Sequence, residues 1–165
     1  MALNATLGAS DANSYVTLEE ADAYFEDRMH SSAWDTAENP EALLITASQM
    51  LDWYIKWKGS KSTASQFMQW PRSGAIRSDG TEIDDDVLPP EVKIAVFEQA
   101  FANIEADRTL EDPLAGIGKL KAGSLAIEAG PEKPNQTNAK PVANQVYNIL
   151  KDLYNSGVVV RLLRA

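Results

Sequence analysis

The stretch that most restricts the fold runs from Asn39 to Gly59, NPEALLITASQMLDWYIKWKG. Asn39 is placed to cap a helix, Pro40 sits where its missing N–H costs nothing, and Glu41 lies at the positive end of the dipole. Leu43, Leu44, Ala47, Met50, Leu51, Tyr54 and Ile55 then recur on one wide apolar face. This spacing predicts a helix from Pro40 to Lys58, ended by Gly59 and ~28 Å long at ~1.5 Å per residue. A face that wide must be covered from several sides, so this helix is expected at the centre of the core.

The covering elements are also legible. Thr17 followed by Glu20 is a capping-box pattern, and Leu18, Ala21, Phe25 and Met29 recur at helical spacing, predicting a helix from Leu18 to about His30. Pro89-Pro90-Glu91 opens another, carrying Val92, Ala95, Val96, Ala100 and Ile104 to about Asp107. A last helix is predicted from Pro141 through Val142, Val146, Ile149, Leu150 and Leu153, stopped by Asn155-Ser156-Gly157. Residues 60–88 are irregular: a short helix over Thr63–Trp70 stopped by Pro71, a turn at Arg72-Ser73-Gly74, and another at Ser78–Thr81. Leu125–Glu128 reads as one arm of a hairpin turning at Gly123-Ser124, inside a hairpin-and-linker region spanning 114–140. The expected fold is mainly α: a bundle of about four helices with a short β-hairpin over residues 1–157, and an extended C-terminal arm over 158–165.

At 165 residues the chain reads as one domain. It contains no cysteine, which excludes disulfides and thiolate metal sites. The opening residues have no basic, apolar leader pattern, and no apolar run approaches the ~20 residues of a membrane helix, so a reducing cytoplasm and no membrane contact are expected. Catalytic chemistry is hard to assemble. The single histidine, His30, sits at a predicted helix end, where a surface or capping role is the ordinary one. Asp84-Asp85-Asp86 lacks the alternating ligands and downstream Glu of a calcium loop and reads as a solvated acidic turn. No Gly-rich phosphate loop precedes a helix. Neither an enzyme, a cofactor nor a metal is expected.

The net charge is -9, yet from Trp53 to Ser78 there are five basic residues, Lys56, Lys58, Lys61, Arg72 and Arg77, and no acid. Interleaved with them are Trp57, Phe67 and Trp70. Basic and aromatic residues in alternation are what a single strand of nucleic acid would use for phosphate contacts and base stacking. Affinity of that kind grows with the number of phosphates neutralised, and an acidic chain starts badly placed for it. The competing expectation is that these aromatics face inward, with Trp53 and Trp57 on one helix face. Trp70 is then a buried clasp, Arg72 the polar end of its turn, and Trp70-Pro71-Arg72-x-Gly74 a structural unit. Acids follow at once: Asp79, Glu82, Asp84, Asp85, Asp86 and Glu91. The two blocks can pair within the fold or between identical subunits, which makes Lys56, Lys58, Lys61, Arg77, Asp84, Asp85 and Asp86 candidates for a subunit interface.

DANSYVTLEEADAYFEDR, LITASQMLDWYIKWKG, QFMQWPRSG and LPPEVKIAVFEQA, in that order, resemble a family of tailed bacteriophages also known as DnaT-like single-stranded DNA-binding proteins. In phage genomes its members look like head–tail adaptors, or connectors. The resemblance spans about Asp11 to Ala106 and matches only in character beyond. It implies a virion protein, assembled in the host cytoplasm, that forms a ring of typically twelve copies between the portal protein and a tail-side connector. Packaged DNA would pass through the lumen without sequence-specific contacts. The resemblance also implies a C-terminal portal contact. Val158, Val159, Val160, Arg161, Leu162, Leu163 and Arg164 suit this, being apolar, β-prone and without any following element to cover them. The alternative is the single-stranded DNA-binding role of the family's other name.

Overall fold

The computed structural model describes residues 2–105, 108, 119–122, 125–128 and 141–155. Among them are five α-helices and two small antiparallel sheets, and the fold is mainly α as expected.

Helix α1 spans Leu18–Glu26. Its capping box is complete: Glu20 N–H donates to Thr17 Oγ1 at 3.2 Å, and Thr17 N–H to Glu20 Oε2 at 3.1 Å. The helix stops short of the expected His30. Residues 27–30 turn instead, with His30 in the left-handed region at φ 60, and a short helix α2, Ser32–Asp35, follows. The turn brings Trp34 back onto Phe25, ring centroids 4.4 Å apart and stacked, with Trp34 Nε1 donating to Asp22. That packing is unavailable to a straight continuation of α1.

Helix α3 spans Pro40–Tyr54 and begins as predicted, with Ala42 N–H donating to Asn39 Oδ1 at 3.3 Å. It ends at Tyr54, before Lys58, because the next residues are claimed by another partner. Ile55 is extended, Trp57 forms a β-bridge with Tyr154, Lys58 N–H donates to the Leu153 carbonyl at 3.0 Å, and Asn155 N–H to the Lys56 carbonyl at 2.8 Å. Trp53 and Trp57 therefore do not share a helix face: Trp57 is buried and Trp53 is 67% exposed.

Strands β1, Ser60–Lys61, and β2, Arg72–Ser73, pair antiparallel with Ser60 opposite Ser73. The helix expected over Thr63–Trp70 is absent. The buried Gln66 side chain holds this loop instead, accepting from Thr63 N–H at 2.9 Å and donating to the Met68 and Pro71 carbonyls, each at 3.0 Å. Helix α4, Pro90–Glu105, lies along α3. Strands β3, Lys119–Ala122, and β4, Leu125–Glu128, form the predicted hairpin, with Ala122 opposite Leu125.

Helix α5 covers only Asn144–Ile149, not Pro141–Leu153. Gln99, itself buried on α4, substitutes for helical bonding at its start: Ala143 N–H donates to Gln99 Oε1 at 2.9 Å, and Gln99 Nε2 to the Pro141 carbonyl at 3.0 Å. Leu44, Ala47 and Leu51 of α3, Val92, Val96 and Ala100 of α4, and Val142, Val146, Leu150 and Leu153 meet Trp70 in one core. The arm 158–165 and most of the 114–140 linker lie outside the described residues.

Candidate functional site

The Trp70–Arg72 turn is bonded to Tyr15, to Lys58 and Gly59, and to Gln66 and Gln69. Trp70 is fully buried, in edge-to-face contact with Trp57 at 5.7 Å; the Trp70–Pro71 peptide is cis. Arg72, 7% exposed, is a cross-brace. Its guanidinium donates to the carbonyls of Lys58 at 2.7 Å, Gly59 at 2.6 Å and Gln69 at 3.1 Å, and to Gln69 Oε1 at 3.0 Å. Burial pushes its pKa down, partly offset by the Tyr15 hydroxyl and Asp52. Gly59 is required at this crossing: at φ +70, a Cβ there would stand 2.3 Å from the Ser73 carbonyl. Gly74 closes the turn at φ +68.

Under the turn lies a polar clamp. The buried Tyr15 hydroxyl donates to Asp52 and accepts from the amides of Gln69 at 3.0 Å and Trp70 at 3.2 Å, while Gln69 N–H also donates to Asp52 Oδ2 at 3.0 Å. Burial lifts the Asp52 carboxyl to about 6 against the pull of these bonds and of Lys61 and Arg72. Burial and the neighbouring Asp52 hold Tyr15 well above the usual phenol range.

The other basic residues of this stretch are mostly engaged within the subunit. Lys58 Nζ donates to the Ile76 and Asp152 carbonyls at 3.1 and 2.8 Å, and Lys61 Nζ to the Gln66 and Phe67 carbonyls at 3.3 and 2.9 Å. Arg77 makes a bidentate pair with Glu91. Lys56 alone among these residues is exposed. Asp84, Asp85 and Asp86 are exposed too, yet they lie beside the basic segment, with Ser62 Oγ on the Asp85 carbonyl at 2.5 Å. The two charge blocks thus adjoin within one subunit rather than occupying separate faces.

The aromatics divide. Trp57 and Trp70 face inward, whereas Trp53, Tyr54 and Phe67 are 67%, 47% and 60% exposed, which corrects the expectation that the set is buried. No group of three or more His, Asp or Glu residues able to hold a metal is found among the described residues, nor any helix long and apolar enough to cross a membrane.

A second polar cluster went unread in the sequence. Glu98, buried on α4, accepts from Arg28 Nε at 2.7 Å, Arg28 Nη2 at 2.9 Å, the Tyr24 hydroxyl at 2.7 Å and Gln145 Nε2 at 2.7 Å, joining α1, α4 and α5. Arg28 also lies over the Phe101 ring, 4.1 Å from its centroid. The available signal was an acid inside an apolar run, VFEQAF for Glu98 and MLDWYI for Asp52.

A family model described as "Putative DnaT-like ssDNA binding protein" matches residues 1–165. The chain belongs to this family. No curated protein and no solved structure matches it. The quoted segments fall on the interlocking parts of this family member's fold: the capping box, the Tyr15–Asp52 clamp and the Trp70–Arg72 brace.

Proposed function

We propose that the protein is a non-catalytic head–tail adaptor of a tailed bacteriophage. It would assemble as a ring, with about twelve subunits in line with the sequence resemblance, between the portal protein and the tail. One observation carries the choice: most of the basic–aromatic stretch is engaged inside the fold. Arg72, Lys58 and Lys61 hold backbone carbonyls, Arg77 holds Glu91, and Trp57 and Trp70 are core. Few of these cationic groups are free to turn outward to phosphates, on a chain of net charge -9. A weakly binding, acidic lumen suits DNA that must slide past. Lys56 and Asp84–Asp86 remain exposed for contacts between copies, and the arm 158–164 is assigned to the portal.

The second reading, single-stranded DNA binding, is favoured by the family description and by the exposed Trp53, Tyr54 and Phe67 beside Lys56. Base stacking on such rings is worth ~1–3 kcal/mol each. Two measurements on the purified protein separate the readings. Sedimentation and electron microscopy with the phage's own portal should show a ring docked on it. Anisotropy with a labelled oligonucleotide should show weak binding erased by salt. Sub-micromolar affinity at physiological salt, lost in Trp53→Ser or Phe67→Ser, together with no portal docking, replaces the adaptor reading with the second.

A further inference from the structure

The register of the β3–β4 hairpin makes it two-sided. Lys119 stands opposite Glu128, Leu120 opposite Ile127, Lys121 opposite Ala126 and Ala122 opposite Leu125. Positions two apart along a strand share a face, so Leu120, Ala122, Leu125 and Ile127 fall on one face of the ribbon. Lys119, Lys121, Ala126 and Glu128 fall on the other. The sheet has two strands, and among the described residues both of its outer edges are unpaired. Helix α4 packs along α3 and α5, whereas among the described residues the hairpin has no comparable packing against any helix. A two-stranded ribbon is marginal by itself in water and needs further strands or a packing partner. We infer that hairpins of neighbouring copies join edge to edge. In this arrangement β4 of one subunit pairs antiparallel with β3 of the next, in the register found inside the hairpin.

Charge decides which edges meet. Pairing β3 with a neighbour's β3, apolar face matched to apolar face, sets lysine opposite lysine, because Lys119 and Lys121 occupy the whole of the other face of β3. Like charges directly opposite one another destabilise a sheet. Pairing β4 with a neighbour's β4 makes a dimer and leaves both β3 edges open. Pairing β4 with β3 repeats what the molecule already does. Each Glu128 then stands between two Lys119 residues, and Leu120 and Ile127 alternate along one apolar row. Main-chain hydrogen bonds supply the affinity of such added strands. The contact joins two different edges, so it passes from copy to copy, and closing it into a ring leaves no free edge. The inference rests on the ring proposed above and assigns one of the contacts between its subunits.

The absence of native cysteine makes the test direct. Two full-length proteins, one carrying Lys121→Cys and the other Ala126→Cys, are mixed with the portal protein and oxidised with copper phenanthroline. Non-reducing gels then report disulfides, and with one cysteine per chain every disulfide joins two copies. Directly opposed antiparallel residues have Cα atoms ~4.5–5.5 Å apart, within the ~7 Å that a disulfide allows. The expected result is a mixed dimer forming roughly tenfold faster than dimers of either protein alone. Adding Lys119→Glu to the first protein should slow it severalfold at low salt, and adding Glu128→Lys to the second should restore it. Each charge variant keeps a like-charged pair inside its own hairpin, so the rescue reads the contact between copies. Sedimentation of the same samples scores the ring on the portal separately. A ring without the mixed disulfide overturns the inference and leaves the adaptor reading standing. Neither ring nor disulfide overturns both, whereas the mixed disulfide without portal docking supports the inference and removes the adaptor reading. Disulfides mainly between two Lys121→Cys copies replace head-to-tail pairing with β3 on β3 and overturn the inference, as does a Lys119→Glu defect that Glu128→Lys leaves unrepaired.

Discussion

Glu98 and Asp52 are both acids set into apolar helical runs, one on each side of the α3–α4 core, and their surroundings drive them in opposite directions. At Glu98 burial opposes ionisation, but the Arg28 guanidinium, the Tyr24 hydroxyl and Gln145 outweigh it and hold the carboxyl below its ordinary range. At Asp52 burial wins and the carboxyl rises to about 6, although Tyr15 and Gln69 bond to it. The difference is a contacting cation. Arg72 stands near Asp52, but its donors go to the carbonyls of Lys58, Gly59 and Gln69 and the Gln69 side chain. Neutral donors satisfy the geometry of a buried carboxylate; compensating its desolvation takes a full charge.

The largest test removes the packing over Asp52. Trp70→Ala should cost ~3–5 kcal/mol, as for other large aromatics deleted from a core, and should let water reach the clamp, drawing the Asp52 titration down toward ordinary values while Glu98 stays low. Chemical denaturation and carboxyl titration by NMR check both halves. A loss below ~1 kcal/mol would place Trp70 outside the core network.

Next, Arg28→Ala should turn Glu98 into a second Asp52. The carboxyl loses its cation but keeps Tyr24 and Gln145, so its pKa should climb above the ordinary range. The stability cost is expected at ~2–3 kcal/mol, below the usual figure for a broken buried pair, because the Arg28 side chain is 23% exposed. Adding Glu98→Gln should recover part of the loss; no recovery would mean that the Arg28 contact with Phe101 dominates.

The pH dependence sharpens the contrast without disrupting packing. The folded Asp52 carboxyl sits above its unfolded value, so its contribution is fully present below ~4 and is lost as pH rises through ~6. Glu98, Glu20 and Glu91 are depressed, so theirs is present above ~4.5 and lost as pH falls. Stability should peak in mildly acid solution and decline by about 1 kcal/mol from pH 5 to 7.5. Asp52→Asn should flatten that decline, whatever its own offset, and urea midpoints across the range measure the slope. A slope unchanged by the substitution would assign the decline to another group.

The smallest expected effect belongs to Trp53. Exposed beyond the clamp, it should change stability by less than ~0.5 kcal/mol on Trp53→Ala, against several for Trp70. A larger loss would show that Trp53 is packed against another part of the chain.

Local chemistry determined much of this protein by itself. The starts of α1, α3 and α4, the Thr17–Glu20 capping box, the Asn39 cap and the hairpin register across Ala122–Leu125 all rest on residues within a few positions of one another, and the sequence displays them. Where helices stop was decided elsewhere. Tyr54 ends α3 because Leu153, Tyr154 and Asn155 pair with the chain just beyond it, and α1 ends because Trp34 returns to Phe25. Gln66 and Gln99 replace helical hydrogen bonds with side-chain bonds to backbone groups brought close only by folding. The same holds for the surface: Trp53 and Trp57, four apart, part company once the helix between them ends. Whether Lys58, Lys61, Arg72 and Arg77 face phosphate or their own backbone depends on which carbonyls and carboxylates the tertiary structure places within ~3 Å of them, and no spacing along the chain carries that distance.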